Sequence, residues 1–104
     1  MVEVRFFRDQ DNLVEGFLFR GHTESAPHGE DVICAGVSAT AQAVLLGLLE
    51  VVEADVDFHK EEGYLECRVR QGTGERGVQV LLNTLYLAVQ RMADDYPRYL
   101  KVQE

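Results

Sequence analysis

His22 and Cys34 are the two residues of this chain best placed to do chemistry together. The histidine ends one apolar run, the cysteine begins another, and a loop carrying Ser25, Pro27 and Gly29 separates them. A cysteine at the start of a helix has its thiolate favoured by unpaired backbone N–H groups and the macrodipole, and an imidazole within reach can take its proton. Such a pair attacks carbonyl carbon. Gly21 precedes the histidine at a strand end, where a glycine lets the backbone turn and aim the ring. Asp31 is a suitable N-cap, with a second role open to it as a carboxylate that orients His22. Ser38 lies one helical turn after Cys34 on the same side, so its hydroxyl can serve the thiolate or bond back to a helix carbonyl.

Other constellations are weaker. His22, His28 and Cys34 supply three zinc-ligand types, and Glu30 and Asp31 stand nearby. No Cys-x-x-Cys or His-Glu-x-x-His spacing presets the geometry, however, and no metal or other cofactor is expected. His59 reads as an exposed polar residue. Gly72, Gly74 and Gly77 precede a helix but enclose Glu75 and Arg76 and follow no βαβ pattern, which reads as a plain loop rather than a phosphate cradle.

The elements that must position the pair follow from periodicity. Val2, Val4 and Phe6 alternate with polar neighbours, Asp9 to Asn12 make a turn, and a second run extends from Leu13 to Arg20, a β-hairpin. After the irregular stretch His22 to Glu30 the period changes. Ile33, Val37, Ala41, Val44, Leu45, Leu48 and Val52 fall on one helical face. Ala35, Gly36, Ala39 and Ala43 make another side of this helix small, which predicts close approach of a neighbouring element. Val56 and Phe58, a turn at Glu61 to Gly63, then Leu65, Cys67 and Val69 read as a second hairpin with Cys67 pointing inward. Val78, Leu81, Leu82, Leu85, Val89, Met92 and Tyr96 mark a second helix stopped by Pro97, and Leu100 and Val102 a last strand. The order ββαββαβ predicts an α+β two-layer sandwich, one sheet with two helices packed against it.

Composition fits one domain over 1–104: the chain is 46% hydrophobic with 104 residues. Its net charge of −8 argues against direct nucleic-acid binding and favours basic partners. The longest apolar stretch is broken by Gly47 and Glu50 and reads as too short for a membrane span of ~20 residues. No secretory pattern opens the sequence, so the cytoplasm is the expected compartment, and the two cysteines are expected to persist as thiols.

The segment Gly21-His22, then a glycine-containing loop, then Gly29-Glu30-Asp31-Val32-Ile33-Cys34-Ala35-Gly36-Val37-Ser38, resembles the signature of the ribosomal-processing cysteine protease family, Prp. Length and element order agree along the whole chain. Thr23 replaces the small alanine expected after the histidine, and Gly36 stands where alanine is frequent. The resemblance implies Cys34 as nucleophile and His22 as its partner, with Gly21, Asp31 and Ser38 as motif residues around them. It also implies a substrate: the N-terminal extension of large-subunit ribosomal protein twenty-seven, received in an apolar cleft beside Cys34. A homodimer with a flexible loop, here His22 to Glu30, over the site is implied as well. A different class of function, a non-catalytic acidic module binding a basic ribosomal or assembly partner, needs no reactive thiol.

Overall fold

The computed structural model describes residues 1–21 and 30–104; His22 to Gly29 lie outside the described residues. Strands β1 (Val2–Arg8) and β2 (Val14–Arg20) form the first hairpin, followed by helix α1 (Glu30–Leu46), which runs on into a π-turn at Gly47–Val51. Strands β3 (Asp55–Glu61) and β4 (Tyr64–Gln71) form the second hairpin, and α2 (Arg76–Asp95) leads to β5 (Leu100–Gln103). The order is the predicted ββαββαβ.

All five strands join one sheet in the order β3-β4-β2-β1-β5. Only the β1–β5 contact is parallel, so the sheet is mixed. Register follows the apolar alternation. Val4 pairs with Phe19 and Phe6 with Phe17, while Phe17 and Phe19 pair on their other side with Cys67 and Leu65. These six side chains share one face and are all nearly or fully buried. Val37, Ala41, Val44, Leu45 and Leu48 of the α1 segment and Val78, Leu82, Leu85 and Val89 of α2 close the core over that face. Burying a side chain of this size stabilises the fold by about 1.5–3 kcal/mol. The other face of the sheet is uncovered. There the Arg68 guanidinium lies 3.7 Å from the centre of the Phe7 ring. Gly16 pairs with both Phe7 and Arg68, and a Cβ on Gly16 would collide with the Cys67 carbonyl oxygen.

Two sequence expectations about α1 change. The small side formed by Ala35, Gly36, Ala39 and Ala43 is exposed, and a Cβ at Gly36 would meet nothing within 4 Å. Close packing between the helices falls elsewhere. A Cβ on Gly47 would meet Leu81 Cδ2 at 3.0 Å, and one on Gly77 would meet Val52 Cγ1 at 2.7 Å. The length argument against a membrane span also fails. Asp31–Val51 is one helical stretch long and apolar enough to cross a membrane by length and composition. A core helix passes the same test, and the apolar face of this one is packed against the sheet, with the exposed alanines adding apolar character on the other side.

Phe58 does share a face with Val56, as alternation required, yet it is 50% exposed on the outer strand β3. Charge occupies this edge. Arg70 Nη2 lies 2.6 Å from Asp55 Oδ1 and Arg70 Nη1 lies 2.8 Å from Asp57 Oδ1, so the strand most open to pairing with another chain carries ionic side chains.

Candidate active site

Three pieces of the fold meet at Cys34: the exit of β2, the turn of the second hairpin, and the start of α1. At the β2 exit Phe19 faces the core and Arg20 the open side of the sheet, so Gly21 comes back to the helix side. The Gly21 N–H donates to the Gly63 carbonyl at 2.9 Å. Gly63 sits between β3 and β4 with φ of 73°, in the left-handed region that favours glycine. The hairpin turn thereby ties down the residue that carries His22.

Cys34 is half-buried and packs against the core cluster. Its Sγ lies 2.5 Å from the point that a Cβ on Gly21 would occupy, beside Phe19 Cζ at 3.0 Å from the same point. Glycine at position 21 is therefore a packing requirement of the thiol, a stronger reason than freedom to turn. Helix α1 starts at Glu30, so Asp31 lies inside its first turn and is not the N-cap. A carboxylate there still complements the positive end of the macrodipole. Cys34 begins the next turn, and because helical side chains lean toward the N-terminus its thiol lies over the first turn.

Ser38 follows on the same face and is half-buried. Its Oγ accepts from Gln42 Nε2 at 2.9 Å, and Gln42 Oε1 accepts from Lys60 Nζ on β3 at 2.7 Å. Sequence reading missed Gln42 and Lys60, and it placed Gly63 in the hairpin turn without its bond to Gly21. The four-residue step from Ser38 to Gln42 is visible in the sequence as a helical neighbour pair, whereas Lys60 reaches α1 only through a strand order that periodicity does not encode.

The second cysteine is of a different kind. Cys67 is fully buried on the core face of β4, as its alternation predicted, and burial in apolar surroundings pushes its thiol up to about 12. It stays a protonated thiol at neutral pH. His22 and His28 lie outside the described residues, and with them the complete His22, His28 and Cys34 metal set. Among the described residues no group of three or more His, Cys, Asp or Glu side chains could hold a metal ion. His59 is exposed and bonded to Glu61 at 2.9 Å. Grooves lined by described residues lie on the uncovered sheet face, at the β3 edge and beside Gly72.

A mixed five-stranded sheet under two helices, with a half-buried thiol at the head of the first helix and a glycine-led strand exit against it, is the framework of a thiol enzyme. The family model described as cysteine protease Prp matches residues 1–101, and the chain belongs to that family of ribosomal processing cysteine proteases. The chain is similar to the ribosomal processing cysteine protease Prp of Bacillus subtilis, 23% identical with 98% of this chain and 96% of the relative covered. It is 22% identical to the Staphylococcus aureus Prp, covering 98% of this chain and 97% of that one. Among solved structures, the Streptococcus mutans protein SMU.848 superposes with a TM-score of 0.87 at 21% identity, covering 99% of this chain and 92% of that one. The S. aureus Prp in complex with a substrate peptide superposes with a TM-score of 0.90 at 19% identity over 100% of both chains. Membership of a protease family leaves the non-catalytic acidic module without an observation in its favour.

Proposed function

We propose that this protease removes the N-terminal extension of large-subunit ribosomal protein twenty-seven, with Cys34 as nucleophile and His22 as general base and acid. The observation that carries this reading is the contact of the Cys34 sulfur with Gly21. Covalent geometry keeps the Cα of His22 about 3.8 Å from that of Gly21. His22 is the residue next in sequence to the glycine that lines the thiol, which supports it as the partner base.

The chemistry balances on these groups. His22 takes the Cys34 proton, the thiolate adds to the peptide carbonyl carbon, and the resulting oxyanion lies near the first-turn N–H groups of α1. Collapse breaks the C–N bond, with imidazolium giving its proton to the departing amine. Water, deprotonated by the same imidazole, then releases the acyl group and restores the thiol. Asp31 and Ser38 act in support: the carboxylate at the helix start, the hydroxyl one turn beyond the sulfur.

The substrate belongs to the same proposal. The S. aureus relative was crystallised with a substrate peptide and with a covalently linked product peptide. An extended segment ending in bulky apolar residues is the kind of ligand that an apolar cleft beside Cys34 would receive. Working in the cytoplasm as a homodimer completes the reading, and Val51 and Phe58, 79% and 50% exposed, supply apolar surface for a second copy. The test is incubation with a peptide spanning the ribosomal extension, followed by mass spectrometry. One cut made by the wild-type protein, absent with Cys34→Ala, supports the assignment; a peptide left whole, or cut equally by both proteins, refutes it.

A further inference from the structure

We propose that two copies of this chain pair through the outer surface of the helix layer, the sides of α1 and α2 turned away from the sheet. This pairing rests on the homodimer reading above and gives that dimer its surface.

Charge is missing where a free surface would carry it. The chain is 27% charged, yet no Asp, Glu, Lys or Arg falls between Val32 and Leu49 or between Gly77 and Gln90. Both runs contain residues turned to solvent as well as residues turned to the core. On α1, Val32 and Leu46 are 62% and 54% exposed, with Gly36, Ala39 and Ala43 exposed between them. On α2, Val80 and Leu87 are 53% and 54% exposed, and the exposed residues between them are the neutral Asn83 and Thr84. A helix on a free surface puts charged and polar residues on the side away from the core. In this chain they gather on the sheet instead: the groove on its uncovered face is lined by Glu3, Arg5, Arg20, Glu66 and Arg68 among others. An exposed apolar face depleted of charge has the composition of the centre of a protein interface.

The two stripes adjoin. Leu46 precedes Gly47 and Val80 precedes Leu81, and Gly47 and Leu81 are where the two helical segments meet. Helices of 17 and 20 residues are about 26 and 30 Å long and about 10 Å thick, so together they present roughly 500–600 Å² in projection. That is comparable with the ~800 Å² of accessible surface that each partner buries in a stable dimer.

A second copy is the occupant this surface suits. At a net charge of −8 two copies repel, and a face without charge is where that repulsion opposes approach least. The glycine and alanines of α1 leave room for a helix to come close, and in a two-fold pair the same patch meets itself, so no complementary charge is needed. A membrane suits the surface less well. The charges that bound the α1 run are Asp31 and Glu50, both acidic, and the chain has no Trp. Helices that lie on bilayers carry Lys and Arg beside large aromatic and aliphatic residues.

Sedimentation equilibrium of the full chain tests the pairing, with Ala39→Glu on α1, Leu87→Glu on α2 and Lys101→Glu on β5. All three positions are exposed, so each variant is expected to keep the wild-type thermal transition. The wild type and Lys101→Glu are expected to be dimers, although Lys101→Glu changes the net charge more than the helix variants do. Each helix variant is expected to raise the dimer Kd by about 100-fold or more, because it sets a carboxylate from each copy in one desolvated interface. A folded helix variant that remains as tight a dimer as the wild type overturns the surface while the homodimer stands, and either variant decides alone if the other does not fold. A monomeric wild type overturns both. A monomeric wild type that floats with phosphatidylglycerol vesicles, and is released from them by Ala39→Glu, assigns the face to a membrane and overturns the pairing. Peptide cleavage by the wild type decides the protease assignment independently of these results.

Discussion

The sulfur of Cys34 occupies the space that a side chain on Gly21 would need, 2.5 Å from the position of its Cβ. The strand exit and the helix start are thereby locked together at the glycine that precedes His22 in the sequence. Gly21 is further held by its N–H bond to the Gly63 carbonyl. Three separate elements converge on one glycine.

Gly21→Ala is expected to push the sulfur and the Phe19 ring aside, since both are closer than a methyl group tolerates. Overpacking of this kind costs about 1–3 kcal/mol. Peptide cleavage should fall by at least about tenfold while a cooperative unfolding transition remains, because a misplacement near 1 Å at a reacting group is itself worth about 10²-fold. Thermal unfolding and initial rates on the same sample check both.

His22→Ala is expected to lower kcat by about 10²–10⁴-fold, the usual contribution of a general acid–base group. The fold should not change. An unaltered kcat removes His22 from the mechanism and leaves Cys34 to be activated by the helix start alone.

Cys67 gives the chain a pH dependence of stability with a definite sign. Its folded-state thiol is held at about 12 against an ordinary value of 9.0, so the folded protein keeps a proton that the unfolded chain releases. Stability from this group is fully present below pH 9 and is lost as pH rises from there toward 12, at about 1.4 kcal/mol per unit. Urea unfolding at pH 8, 9 and 10 should show this loss in the wild type and a flatter profile in Cys67→Ala. That variant is expected to lose about 1–2 kcal/mol at pH 8 and to retain cleavage.

Gly16→Ala is expected to be more damaging than any of these. The obstacle is the backbone oxygen of Cys67 on the paired strand, which cannot turn away as a side chain can. Separation of β2 from β4 should cost about 3 kcal/mol or more. Circular dichroism and thermal unfolding check it, and a wild-type midpoint contradicts the register described for this pair.

Most of the architecture was legible because its elements obey single periods. Val2, Val4 and Phe6 alternate cleanly, and Val37, Ala41, Val44 and Leu48 mark a helical face that the fold buries. Strand order was not legible. Placing β4 beside β2 and β5 beside β1 depends on contacts far apart in sequence. The small side of α1 misled for a related reason: alanine and glycine permit close approach without requiring it, and here the approach is made at Gly47 and Gly77. At the site, Cys34 could be read from residue type and position. The packing reason for Gly21 and the reach of Lys60 to Gln42 could not, since each joins two elements that only the folded sheet brings together.

The most direct measurement is cleavage of a peptide spanning the extension of ribosomal protein twenty-seven, followed by mass spectrometry with wild-type protein, Cys34→Ala and His22→Ala side by side. The expected result is one cut by the wild type, none by Cys34→Ala and a rate reduced by about 10²-fold or more with His22→Ala. Equal cutting by wild type and Cys34→Ala, or no cut by the wild type, contradicts the assignment.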